Sequence, residues 1–262
     1  MTKRLPCPPA AGPLEAYAAH FDDVFSALAQ RRGFREYLTG LLAARDRNKT
    51  LTALAGAEPV AGAQHPEVQR LQFFLAESVW DPEEVTARRL QLLAADAATA
   101  WHAGGVLVID DSADRKDGTA TAHVGRQWLG RLGKTDNGVV TVTTLWADER
   151  LYCPLHTMPY TPAGRFPGGK SDPEFRTKPQ IAAALVARAF EAGVQCRAVV
   201  ADCGYGDHDA LRSELHVAGV PFVLALKPHR GTWAPREAPH TPSTPPASWP
   251  GTDRPTPEIG RR

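Results

Sequence analysis

Two aspartates stand side by side, Asp110 and Asp111, at the end of the apolar run Val106 to Ile109, and a third, Asp202, ends a similar run about ninety residues later. A short continuous apolar run bounded by turn-forming residues reads as a buried central strand. Open α/β sheets carry their chemistry at the carboxyl ends of such strands. Two strands that deliver carboxylates to one sheet edge make a set of hard oxygen ligands, which suits a divalent metal and, through it, phosphoryl chemistry. Alternation along the first strand puts Asp110 and Asp111 on opposite faces, so only one of them should face a metal. A purely structural reading stands beside this one, with Asp110 capping the following loop and Asp202 capping the following helix.

The elements that must position these acids are legible in the surrounding pattern. Residues 14–101 read as helical: Leu14, Tyr17, Ala18, Phe21, Val24, Phe25 and Leu28 recur at three-and-four spacing, and Arg31, Arg32 and Gly33 close that helix. A second helix holds Phe34, Tyr37, Leu38, Leu41 and Leu42, and a third, entered after Pro66, carries Leu71, Phe73, Phe74, Leu75 and Val79. Asp81-Pro82-Glu83-Glu84 supplies an N-cap, a proline at the first helical position and acids in the first turn of a fourth. An all-α amino-terminal domain over residues 14–102 is therefore expected.

After the acidic strand, Ala113 to Gly138 reads as a polar, glycine-dotted loop. Val139 to Trp146 and Leu151 to Met158 read as extended segments joined by a short turn at 147–150. A helix over Pro179–Ala192 ends at Gly193; the Asp202 strand, a helix over Asp207–Ala218 and a strand over Pro221–Leu226 follow. A leading hairpin with later crossover helices predicts an α/β fold, a ribonuclease H-like mixed sheet over residues 103–233. From Pro235 to Arg262 there are eight prolines and almost no apolar periodicity, so residues 234–262 are expected to be a disordered Pro-rich tail.

The net charge of +1 gives no global basic field, so any contact with nucleic acid must come from local clusters. Arg31, Arg32 and Arg35, then Arg45, Arg47 and Lys49, form one such cluster in the helical part. Arg126, Lys134 and Lys178 could steer phosphates near the acids. Each of these groups also fits the plain reading of a solvated surface. Trp128 and Trp146 read as packing residues rather than stacking platforms. Cys7, Cys153, Cys196 and Cys203 have no zinc-finger or disulfide spacing. With no apolar leader and no run of about eighteen apolar residues, a soluble cytoplasmic protein without a membrane span is expected.

VIDDS, GRQWLGRLGKTDNG, RTKPQIAAALVARA, VVADCGYGD and FVLALKPHRGTW, in that order, resemble the bacterial insertion-sequence transposases of the DDE superfamily endonuclease type. The resemblance covers roughly Phe34 to Trp233. It implies a helical domain that engages double-stranded DNA at transposon ends and a ribonuclease H-like core that cuts and rejoins it. It also implies a homodimer on paired ends, nucleoid-associated when bound, and Mg2+ as cofactor with Mn2+ as substitute. The first catalytic acid and metal ligand then falls at Asp111, with Asp110 as the alternative, and the second falls at Asp202. In such sites two divalent ions about 4 Å apart activate the attacking oxygen and stabilise the leaving one.

The family's third acid, a glutamate on a later helix, has no counterpart here, since Glu237 and Glu258 sit in proline-rich sequence. This departure predicts a truncated or frame-disrupted transposase that binds metal weakly and cleaves poorly or not at all. A non-catalytic DNA-binding remnant is the second reading. A phosphate loop at Gly164–Ser171, GRFPGGKS, is disfavoured because Pro159 and Pro162 precede it and Asp172-Pro173 follow it. An aspartyl phosphatase is weaker still, because its two acids are separated by one residue and these are adjacent.

Overall fold

Local capping chemistry sets the helix boundaries of the amino-terminal half. The computed structural model describes residues 12–43, 50–56 and 64–227. Its first five helices are α1 (Pro13–Ala19), α2 (Leu28–Leu42), α3 (Leu51–Leu54), α4 (Pro66–Ala76) and α5 (Pro82–Ala95). α1, α4 and α5 each begin on proline, which has no N–H to leave unpaired there. Asp81 accepts a hydrogen bond from the Glu83 backbone N–H at 2.8 Å, and Thr50 Oγ1 accepts from Ala53 N at 3.2 Å, so each satisfies an orphan donor.

The chain divides into two compact units. One comprises Met1–Gly105, Leu145–His156 and Ala187–Cys196; the other comprises Val106–Thr144, Thr157–Val186 and Arg197–Arg262. The first is built on aromatic packing: Phe21, Phe25, Phe34 and Phe74 are buried together with Ala18, Leu54 and Leu71. Ring centroids lie 4.9 Å apart for Phe21 and Phe34 and 5.0 Å apart for Phe25 and Phe34. Trp80 stacks on Phe74 at 5.3 Å and donates from Nε1 to the Phe74 carbonyl at 2.9 Å. Each buried ring contributes about 1.5–3 kcal/mol.

The expected helix boundary at Gly33 is corrected. α1 ends at Ala19, the chain turns through 20–27 with Phe21 and Phe25 facing inward, and α2 runs straight through Gly33. A Cβ on Gly33 would sit 2.6 Å from Phe74 Cγ, so the glycine permits close approach of α2 to α4 rather than a helix end.

A six-stranded sheet takes in the acidic strands. The elements from Val106 onward are β1 (Val106–Arg115), β2 (Gly125–Leu129), β3 (Lys134–Ala147), β4 (Tyr152–Tyr160), α6 (Lys178–Glu191), β5 (Ala198–Ala201), α7 (Cys203–Gly206), α8 (Asp209–Val217) and β6 (Phe222–Leu224). The sheet order is β2-β3-β1-β5-β6, with β4 also paired to β3. β1, β5 and β6 run parallel, and β2 and β3 antiparallel, so the fold is mixed α/β. Leu107, Ile109, Val140, Val142, Val199 and Leu185 are buried in it.

Two readings of this region are corrected. Ala113 to Gly138 is not one loop, because β1 extends to Arg115 and β2 pairs with the start of β3 from Gly125↔Gly138 to Leu129↔Lys134. Gln127 and Leu129 are buried while Arg126 and Trp128 are exposed, which is the alternation of a one-sided strand. Gln127 Nε2 donates to the Gly138 carbonyl at 3.0 Å, so the amide nitrogen is satisfied in its burial. The GRFPGGKS stretch forms two short 3-10 turns, Ala163–Arg165 and Gly169–Ser171, and opens no α-helix, which removes the phosphate-loop reading. Among the described residues no helix is long and apolar enough to cross a membrane. The Pro-rich tail lies outside the described residues.

Candidate active site

β1 and β5 pair in parallel from Val106↔Ala198 to Ile109↔Ala201, and one step beyond stand Asp110 and Asp202. Adjacent parallel strands thus end their apolar runs on carboxylates at the same level of the sheet. Asp202 also caps α7, its Oδ1 accepting from the Gly204 N–H at 2.9 Å. Capping takes one carboxylate oxygen, so this structural role and a metal-binding role are compatible.

Asp111 has a defined partner. Lys178 Nζ donates to its Oδ2 at 2.7 Å, and both side chains are roughly three-quarters buried. Lys178 is held at the first turn of α6 by reciprocal capping: the Thr177 N–H donates to Gln180 Oε1 at 2.9 Å, and the Gln180 N–H donates to Thr177 Oγ1 at 3.4 Å.

Asp110 accepts the Asp111 backbone N–H at 2.7 Å. Although much of Asp110 reaches the surface, shielding of its carboxyl pushes its pKa upward, and the charges of Asp111 and Asp202 push the same way. The three carboxylates therefore feel one another. Tyr205 follows Asp202 by one helical turn and is 3% exposed. Burial first, and then the charges of Asp111, Asp110 and Asp202, hold its phenol protonated. Its Oη makes no hydrogen bond of ordinary geometry, although it stands near enough to Asp111 to feel that carboxylate as an acceptor. The motif VVADCGYGD contains this tyrosine without assigning it a role; its spacing from Asp202 on a short helix is the signal that could have found it.

The basic residues divide. Arg126 and Lys178 line one cavity with Trp128, Tyr160 and His208. Lys134 opens β3 and pairs with Asp136 at 3.0 Å. Arg35 is held by Glu15 and Asp22, each at 2.7 Å, and it lowers the pKa of both carboxylates. Arg45, Arg47 and Lys49 lie outside the described residues.

Do these residues fit a divalent metal? Asp111 and Asp202 offer hard oxygen ligands, a cation already sits on Asp111, and a buried hydroxyl without a formed hydrogen bond faces the group. The carboxylate oxygens and the hydroxyl suit an added cation with its water, whereas the ammonium would have to yield its place to that cation. Among the described residues no three His, Cys, Asp or Glu side chains gather as a metal-holding group. Magnesium takes as few as one or two carboxylates from protein and keeps several waters, so the pair is a sufficient start.

Residues 20–259 match the family described as DDE superfamily endonuclease. Over 228 residues the chain is 31% identical to a protein of Microchaete diplosiphon described as a probable transposase for insertion sequence element IS701; the match covers 87% of this chain and 57% of that protein. The chain thus spans less than two thirds of that curated relative's length. With its paired acidic strands on a mixed sheet and a family match over nearly its whole length, this chain belongs to the DDE superfamily endonucleases.

Proposed function

We propose that this chain carries the carboxylate centre of an insertion-sequence transposase, which cuts and rejoins double-stranded DNA at transposon ends. The observation that carries the reading is the delivery of Asp110 and Asp202 by adjacent parallel strands in register, with Asp111 beside them under a lysine ammonium. Asp111 and Asp202 would hold the divalent ion, Mg2+ or its substitute Mn2+, with Asp110, the register neighbour of Asp202, as the alternative to Asp111 and its pKa pushed upward by shielding of its carboxyl. When bound, the ion supplies Lewis-acid activation of the attacking oxygen and charge stabilisation of the leaving one.

The chain's own residues do the rest. Lys178 offsets the charge of Asp111 while the ion is absent, and Tyr205 presents a neutral hydroxyl to the carboxylates from the buried side. Arg126 and Lys178 attract the phosphate backbone beside the acids, and Lys134 adds to that field although it shares its charge with Asp136. The family's habit of acting as a dimer on paired ends extends to this protein in the same proposal.

The test is Mn2+- and Mg2+-dependent nicking of a supercoiled plasmid that carries the element's ends. Metal-dependent nicking that disappears in both Asp111→Asn and Asp202→Asn supports the reading. DNA binding with no nicking under any metal, by the wild type and by both variants alike, would leave a non-catalytic DNA-binding protein instead.

A further inference from the structure

Trp128 and Trp146 have opposite fates. Trp146 is fully buried, with Nε1 donating to the Gln195 carbonyl at 2.9 Å. Trp128 is 58% exposed on the outward face of β2, two residues from the equally outward Arg126. An exposed indole beside a guanidinium presents a flat π-face next to a cation, a pair suited to stacking on a base with its phosphate.

Arg126 and Trp128 form one wall of a cavity of about 350 Å³. The other walls are Tyr160 at the end of β4, Thr177 and Lys178 at the start of α6, and His208 just before α8. The volume falls within the range of about 300–1,000 Å³ typical of small-ligand sites. Its chemistry is two aromatic rings, a guanidinium and an ammonium, two hydroxyls, an amide and an imidazole, and no carboxylate is among its lining residues. Lys178 Nζ lies 5.9 Å from the centroid of the Tyr160 ring and 2.7 Å from Asp111 Oδ2, so one side chain belongs to both the cavity and the carboxylate centre.

A base has flat π-faces and a phosphate has anionic oxygens. Aromatic rings interleaved with cations recognise this combination without reading sequence. The cavity is too small for a base pair with its two backbones, and it adjoins the acids directly. We infer that it holds one unpaired nucleotide of the DNA strand whose phosphate lies at Asp111 and Asp202. Trp128 stacks on the base, while Arg126 and Lys178 neutralise its flanking phosphates. This assignment rests on the DNA-cutting reading above and adds a binding site to it.

The test compares two DNAs with the same duplex part, with the full chain in EDTA: a blunt duplex, and that duplex extended by a single unpaired 2-aminopurine nucleotide at one 3′ end. The expected result is binding about tenfold tighter for the overhang, with 2-aminopurine fluorescence quenched on binding. Trp128→Ala should abolish both the preference and the quench and leave blunt-duplex affinity unchanged. Arg126→Gln should weaken the overhang complex more than the blunt one, which keeps the test valid should the tryptophan variant fold poorly. Equal binding of the two DNAs by the wild type, or a quench that survives Trp128→Ala, would overturn the nucleotide site while leaving the DNA-cutting reading intact. Failure of the wild type to bind either DNA would overturn both.

Discussion

Lys178 Nζ lies 2.7 Å from Asp111 Oδ2, joining residues 67 positions apart in the chain and setting an ammonium on one of the three clustered carboxylates. A largely buried carboxylate is stabilised by such a partner. The same partner competes with any metal for that oxygen, and Lys178→Met should therefore tighten Mn2+ binding. The pair is partly solvated, so screening limits its worth to about 1 kcal/mol, or roughly a fivefold change in dissociation constant. Lys178→Arg should leave metal affinity near the wild-type value. Titration with Mn2+ followed by electron paramagnetic resonance reads this directly, and an unchanged or weaker affinity in Lys178→Met would show that the lysine does not occupy the cation's place.

Close packing at Gly33 predicts an inversion of the usual helix preference. In an exposed helix interior Gly→Ala stabilises by about 1 kcal/mol. Here the new methyl would meet Phe74 Cγ at 2.6 Å and Phe74 Cβ at 2.8 Å, and overpacking of this kind costs about 1–3 kcal/mol. Gly33→Ala should therefore lower the urea midpoint. Gly164→Ala is the control, since a methyl there would meet no atom within 4 Å, and it should change stability by less than about 0.5 kcal/mol. A more stable Gly33→Ala would mean that α2 and α4 are not in this close contact.

The turn between β3 and β4 carries a pH signature. Asp148 accepts the Arg150 and Leu151 N–H groups at 2.7 Å each, and these bonds, with His102 and Arg150 nearby, lower its pKa to about 2 from an ordinary 3.8. A depressed folded-state pKa means that the group stabilises the fold above pH 3.8, and that this contribution fades as pH falls toward 2. Asp148→Asn should thus melt below the wild type at about pH 6, and the gap should close as the pH is lowered to about 2. A gap that persists undiminished at the acid end would assign the loss to packing rather than charge.

Legibility differed by the range of the interaction. Asp202 could be placed just past a strand end, and Pro82 with Asp81 at the start of α5, because apolar runs and their flanks are local signals; Asp110 and Asp111 do end an apolar run, but β1 continues past them to Arg115 because its polar second half pairs within the sheet rather than ending there. β2 was hidden because its glycines and charges look like loop composition; only the burial of Gln127 and Leu129 against exposed Arg126 and Trp128 reveals the strand. Gly33 looked like a helix end because its cause, Phe74, is 41 residues away in the sequence. Arg35 looked like a free cation, but its partners Glu15 and Asp22 lie 20 and 13 residues earlier, beyond any helical spacing rule. The lysine on Asp111 and the cavity beside it depend on the folded sheet, which spacing alone does not specify.

Tyr205 separates stability from function. Its hydroxyl is buried beside three carboxylates without a hydrogen bond of ordinary geometry, and an unsatisfied buried polar group costs about 1–3 kcal/mol. Removing it should leave the fold as stable or more so, because the ring keeps its packing and the penalty disappears. If the hydroxyl instead serves the metal-bound state, where a carboxylate or a metal-bound water becomes its partner, Tyr205→Phe should lose Mn2+ affinity by about fivefold or more while its melting temperature holds or rises. Melting and Mn2+ titration of the same preparation distinguish the cases. A fall in melting temperature with metal affinity intact would show that the hydroxyl is already satisfied in the metal-free fold and acts there as a structural group.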